Sequence, residues 1–185
     1  PTIDHLPQIH SKDQYYFAYG TNMPTRYLYN IRGILPAQSQ SGMIENYEIS
    51  FLAPGLNSLE PAFAYLLKAE GKSAYGVLHR LSKPDLDKVK ESEGEMYDWA
   101  TLPVVVGDGQ IVAAQTLVRN SSGDAGKPSR RYLEILIEGA TEHELPSAYI
   151  AKLRDMPSAY FPVASELMGN VLHAVVMERS AEADH

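Results

Sequence analysis

The sequence contains no cysteine. Disulfides, thiolate nucleophiles and cysteine-based metal sites are therefore excluded. Cationic residues are few and unclustered: Lys and Arg total 16 against 23 Asp and Glu, for a formal net charge of −7 and a pI near 5.3. A general nucleic-acid binder needs grouped cations to meet phosphates, so that class is disfavoured. No apolar run approaches the roughly 18 residues of a membrane span. The opening stretch, PTIDHLPQIHSKDQ, lacks the apolar core of a signal peptide. The expectation is a soluble, cytoplasmic protein with neither membrane nor nucleic-acid partner. A phosphate-binding Gly-x-x-x-x-Gly-Lys loop is also missing. Ser39, Ser41 and Ser50 lack the Gly-x-Ser-x-Gly context of a serine nucleophile. His5, His10, His143 and His173 have no metal-ligand spacing, so no metal is expected.

What is present is an ordinary globular composition, 44% hydrophobic and 21% charged over 185 residues. That suits one domain with a sizeable core. We read residues 1–185 as a single domain with its core at about 14–178, a polar N-terminal arm and a disordered C-terminal tail, ERSAEADH. Tyrosine stands out, with 12 residues against four Phe. Strand propensity explains this blandly; a pocket lined by rings with polar tips explains it more sharply.

Along the chain, residues 14–19 read as a core strand that stops at Gly20, with Pro24 opening a short helix. YEISFL (47–52), AFAYLLKA (62–69) and SAYGVLHRL (73–81) read as strands; in the last, Tyr75, Val77, His79 and Leu81 alternate onto one face. SKPDLDKVKESEG (82–94) reads as a helix capped by Ser82 and ended by Gly94. Gly107-Asp108-Gly109 joins two strands in a hairpin. Residues 119–130 read as a flexible loop by composition. SRRYLEILIEGATEH and LPSAYIAKL read as helices, and NVLHAVVM as a late strand. Strands dominate, so the expected class is α+β: a small, mostly antiparallel β-barrel flanked by helices.

Two features bear on chemistry. At ~100° per residue, Leu86, Val89 and Glu93 fall on one helical stripe, with Glu91 and Glu95 opposite. A carboxylate continuing an apolar face is partly desolvated and sits at the negative end of the helix dipole. Both effects raise its pKa toward the range useful for proton transfer. The bland alternative is a frayed helix end with Glu93 in water. The second feature is the loop Gly20-Thr21-Asn22. It is either a plain strand-to-helix turn or a backbone shaped to offer N–H groups to an anion at the helix start. Tyr132 on its stripe reads as core, and His79 as a strand residue with a local hydrogen bond.

In this order the pieces resemble the γ-glutamylcyclotransferase family. FAYGTNM is similar to the family's Tyr-Gly-Ser-Asn loop, with Thr21 for Ser. AYGVLHRL and LDKVKESEG resemble the strand and catalytic helix with its Glu-Gly ending. PSRRYLEILIEGATEHELPSAYIAKL resembles the late Tyr-containing helix, its Gly-Ala turn and the Leu-Pro-x-x-Tyr helix. The resemblance implies a small barrel with a pocket at one end. It implies conversion of a γ-glutamyl amide into 5-oxoproline and an amine, without a cofactor. It places the catalytic glutamate on Glu93 and substrate contacts on Tyr19, Gly20, Thr21, Asn22 and Met23, with Tyr97 and Tyr132 completing the pocket. Its implied partner is a small-molecule substrate, and a homodimer is left open. Glu60 and Pro61 stand where the family often has a small, Gly-rich strand. Two alternatives stay open: the same scaffold and glutamate acting on a different biosynthetic intermediate, and a non-catalytic binding module.

Overall fold

The structure is a computed structural model that describes residues 13–53, 60–93, 97–107, 109–119 and 123–159. The N-terminal arm, the NVLHAVVM segment, Gly94 and the C-terminal tail lie outside the described residues.

Strand β1 (Gln14–Ala18) buries Tyr16, Phe17 and Ala18 in succession, because both of its faces are covered, one by the barrel interior and the other by packing that includes the helix at Lys83–Ser92. It pairs antiparallel with β3 (Phe63–Leu81) and parallel with β5 (Gln110–Val118). β5 pairs antiparallel with β4 (Asp98–Val106), β4 with β2 (Gln38–Ala53), and β2 returns to β3. That last pairing closes a five-stranded, mostly antiparallel barrel, and the short β6 (Asp124–Ala125) adds to β2. Closure removes exposed strand edges. With the helices α1 (Thr25–Arg32), α2 (Lys83–Ser92), α3 (Arg130–Glu142) and α4 (Ser147–Arg154), the class is α+β, as expected.

β2 and β3 are longer than the sequence pattern suggests, at 16 and 19 residues. The segments 62–69 and 73–81 are halves of one strand. The polar residues between them do not end it because a bulge absorbs the bend. Register shifts between Glu45 and Tyr47, Asn46 takes φ 62°, and Gly71 opposite takes φ 73° and donates its N–H to Asn46 Oδ1 at 3.0 Å. In the upper half of β3 both faces are buried: Ala74, Val77, Leu78 and His79 are all inaccessible, so the single buried face expected there is replaced by two.

Gly42 and Gly76 are register partners that make room in the barrel for Phe17. A Cβ on Gly76 would overlap the Ala18 carbonyl oxygen and lie 2.7 Å from Phe17 Cζ. Ser82 caps α2, accepting from the Asp85 N–H at 3.2 Å, and Leu86 and Val89 face the core. Ser129 caps α3 in the same way, accepting from the Tyr132 N–H at 3.0 Å. The Gly-Ala pair expected as a turn lies inside α3. Gly139 is needed there because a Cβ would sit 2.5 Å from Met23 Cβ and 2.7 Å from Pro24 N. α3 therefore rests directly on the loop after β1. Among the described residues no helix is long and apolar enough to cross a membrane.

Candidate active site

The loop after β1 is a true turn: the Met23 N–H donates to the Gly20 carbonyl at 3.1 Å. Among the described residues, the N–H groups of Thr21 and Asn22 donate to no protein acceptor. The start of α1 is served differently from the sequence expectation. Thr25 N–H already donates to Glu142 Oε2 at 3.0 Å, so a carboxylate from α3 occupies the helix N-terminus. Any anion held by the loop must use the turn itself.

Asn22 is buried and every polar group of its side chain is engaged. Nδ2 donates to Tyr16 Oη at 2.9 Å and to Glu93 Oε1 at 2.8 Å, while Oδ1 accepts from Arg32 Nε at 3.0 Å. Its carbonyl accepts from His79 Nε2 at 2.9 Å. A carbonyl can only accept, so His79 is protonated on Nε2 and its Nδ1 accepts a hydrogen bond from the Ser39 hydroxyl, 2.7 Å away. Burial holds the His79 pKa down to about 4, leaving a neutral ring. His143 Nε2 donates to the next carbonyl, that of Met23, at 3.1 Å. Two imidazoles thus fix the loop from behind.

Glu93 is the residue that ends α2, and its side chain is 16% exposed. Arg32, at the end of α1, forks between Asn22 and Glu93, its Nη2 lying 2.7 Å from Glu93 Oε1. Both donors to Glu93 land on Oε1; among the described residues none donates to Oε2. One oxygen is pinned and the other is left for a ligand.

Glu93, Gly20, Thr21 and Asn22 share the wall of a cavity of about 310 Å³ with Tyr19, Tyr97 and Tyr132. Gly20 lets the tyrosine approach the turn: a Cβ there would lie 3.3 Å from Tyr132 Oη. Tyr132 Oη accepts from the Ala64 N–H at 3.2 Å, and Tyr19 Oη donates to the Leu117 carbonyl at 2.9 Å. Burial, above all, pushes the phenol pKa values of Tyr16, Tyr19, Tyr97 and Tyr132 up. These rings are neutral hydrogen-bonding groups, not bases. Farther along the wall lies a second ion pair. Glu60, 3% exposed, accepts from Arg131 Nε at 2.9 Å and from its Nη2, and from Ser129 Oγ at 2.7 Å.

Residues 73–153, which hold α2, Glu93, α3 and most of α4, match the AIG2-like family. The chain is 25% identical over 164 residues to a γ-glutamylcyclotransferase of Homo sapiens, covering 85% of this chain and 86% of that protein. It is 30% identical over 139 residues to a γ-glutamyl cyclotransferase of Claviceps purpurea, covering 68% of this chain and 62% of that one. A solved structure of a γ-glutamyl cyclotransferase shares the fold, with a TM-score of 0.72 at 21% identity over 82% of this chain and 92% of that chain. The chain is similar to AIG2-like and γ-glutamylcyclotransferase proteins and shares their fold.

Seven residues that the family resemblance marked, Glu93, Tyr19, Gly20, Thr21, Asn22, Tyr97 and Tyr132, line this same cavity. Met23 does not. The turn directs it inward, where it is fully buried under Gly139 of α3. Sequence reasoning missed Arg32, whose only signal was a cation in the last turn of a helix, a position the helix dipole explains by itself. It also missed Tyr16, which lay in the core strand 14–19, and Arg131, for which the sequence suggested no role.

Proposed function

We propose that this protein converts a γ-glutamyl amide into 5-oxoproline and a free amine, with Glu93 as general acid/base. The observation that carries the reading is the state of the Glu93 carboxylate. Oε1 is held by Arg32 and Asn22, and Oε2 has no donor among the described residues. The carboxylate shares a cavity wall with a turn whose Thr21 and Asn22 N–H groups are unpaired among the described residues. The names of the human and Claviceps purpurea relatives agree with this activity.

In this reaction the substrate supplies both partners. Its α-amine attacks its own γ-carbonyl carbon, a C–N bond forms to close the lactam, and the C–N bond to the departing amine breaks. Holding the chain folded makes attack intramolecular and removes most of its entropic barrier. The attacking nitrogen must shed protons and the departing nitrogen must gain them. A carboxylate with one oxygen free carries a proton from the first to the second. The turn N–H groups hold the α-carboxylate or polarise the γ-carbonyl. Arg32 and Asn22 keep the shuttle aimed, and the neutral tyrosines shape the walls.

The test is incubation with a panel of γ-glutamyl amino acids and amines, scored for 5-oxoproline. Release from at least one member is expected. No release from any, by folded protein, overturns the proposal and favours the alternative of a different substrate on the same scaffold.

A further inference from the structure

Asn22 Nδ2 serves two acceptors at once, Glu93 Oε1 at 2.8 Å and Tyr16 Oη at 2.9 Å. The carboxylate and the phenol therefore lie side by side on one amide nitrogen. An amide NH2 group only donates, so Tyr16 Oη is the acceptor in this contact and its own hydrogen is uncommitted. That hydrogen meets no acceptor among the described residues. Tyr16 is 2% exposed and lines the cavity. A buried donor without an acceptor is costly, and a ligand in the cavity would supply one. Burial, with the negative charge of Glu93 nearby, pushes the phenol pKa up, so the hydrogen stays on the oxygen. The ring is held on two sides, stacked on His79 with centroids 6.3 Å apart and tilted against Trp99 at 6.0 Å. Other tyrosines of the cavity are engaged elsewhere. Tyr19 spends its hydrogen on the Leu117 carbonyl, and Tyr132 Oη accepts from Ala64 N–H and stands over Gly20, at the turn.

We propose that Tyr16 is a second catalytic residue, whose O–H donates to the γ-carbonyl oxygen and holds the oxyanion formed as the ring closes. The inference rests on the reaction proposed above. There, one carbon carries the attacking nitrogen, the departing nitrogen and the carbonyl oxygen. Glu93 serves the two nitrogens in turn. The oxygen is one bond from the same carbon, and Tyr16 is the hydroxyl next to the shuttle. When the α-amine nitrogen bonds to the γ-carbon, the C=O π pair moves onto the oxygen. Tyr16 keeps its proton and lends only a hydrogen bond, which strengthens as the charge develops. When the pair returns, the C–N bond to the departing amine breaks and that nitrogen takes the proton carried by Glu93. The N–H groups of Thr21 and Asn22 are then left for the α-carboxylate.

The experiment measures 5-oxoproline release from the γ-glutamyl compound that the wild type turns over fastest. Tyr16→Phe removes Oη alone, and thermal unfolding checks its fold. Loss of one oxyanion donor predicts a kcat about 100- to 1,000-fold lower, with KM changed far less. A wild-type kcat in the folded variant, or a loss confined to KM, overturns the proposal while leaving the reaction standing. A second arm separates donation to substrate from acceptance from Asn22. Placing 3,5-difluorotyrosine at position 16 alone makes the phenol a stronger donor and a weaker acceptor. Assayed below neutral pH, where the ring keeps its proton, this protein should match or exceed the wild-type kcat. A fall in kcat there marks Tyr16 as a support for Asn22 and overturns the catalytic assignment, and this arm decides alone if Tyr16→Phe does not fold. If no γ-glutamyl compound yields 5-oxoproline with the wild type, the reaction fails and the inference fails with it.

Discussion

Replacing Arg32 by Met removes a cation from between Glu93 and Asn22 while keeping much of the side chain's bulk. The wild-type contacts are Nε to Asn22 Oδ1 at 3.0 Å and Nη2 to Glu93 Oε1 at 2.7 Å. Their loss leaves Glu93 with one donor, Asn22 Nδ2, and leaves a buried amide oxygen unpaired. Breaking a fully buried pair costs about 3–5 kcal/mol. Here the side chains are 13% and 16% exposed, so water offsets part of that, and about 2–3 kcal/mol is expected. For a chain of this size the melting temperature falls by about 5–10 °C. Catalysis suffers separately, because the shuttle oxygen is no longer aimed; misplacement on the order of 1 Å costs about a hundredfold in kcat. Arg32→Lys keeps the charge without the fork and should recover part of both losses. Thermal unfolding and steady-state release of 5-oxoproline measure the two effects. A double-mutant cycle with Glu93→Gln should return a coupling of about 1–3 kcal/mol. An unchanged melting temperature in Arg32→Met, or strict additivity in the cycle, refutes the reasoning.

His79 has a folded-state pKa of about 4 against 6.5 when unfolded, because burial disfavours its charged form. The neutral ring is favoured by folding, so this stabilisation, about 3 kcal/mol, is present above pH 6.5 and is lost as pH falls from 6.5 toward 4. Urea unfolding at pH 7 and pH 4.5 should show His79→Gln to be less acid-sensitive than the wild type; parallel pH dependence contradicts this. Gly76→Ala forces a methyl group against a backbone oxygen that cannot withdraw, and should destabilise the barrel by about 3 kcal/mol or more. Wild-type stability by denaturant titration would show that the Gly76 contact is mistaken. Tyr132→Phe deprives the Ala64 N–H of its acceptor and should cost about 1–2 kcal/mol in thermal unfolding; no loss means another acceptor serves that group.

The parts of this fold that were legible are those written locally. Ser82 before Lys-Pro-Asp, the apolar stripe of Leu86 and Val89, and the glycines around the 107–109 turn each determine structure within a few residues. Barrel closure was expected in outline but its pairings were not. β2 joins β3 across a bulge at Asn46 that reads as a polar break, and the parallel contact of β1 with β5 leaves no periodic trace. The site divides in the same way. The turn and Glu93 were visible because each punctuates a local pattern. Arg32 reaches Glu93 across 61 positions and Arg131 reaches Glu60 across 71, so neither ion pair has a spacing that one sequence can reveal. Met23 went the other way: adjacency in the loop suggested the pocket, whereas the turn hydrogen bond from its own N–H to Gly20 sends its side chain into the core.

The central claim is that Glu93 moves the proton that lets a γ-glutamyl amine close on its own carbonyl. Glu93→Gln keeps the size of the side chain and can keep its contacts to Arg32 and Asn22, but it cannot exchange a proton. Its most direct measurement is 5-oxoproline release by this variant and the wild type from the best panel substrate, with substrate affinity followed in parallel. The account predicts a folded variant that still binds substrate and releases product at least about a thousandfold more slowly. A folded Glu93→Gln that turns over at the wild-type rate would contradict it.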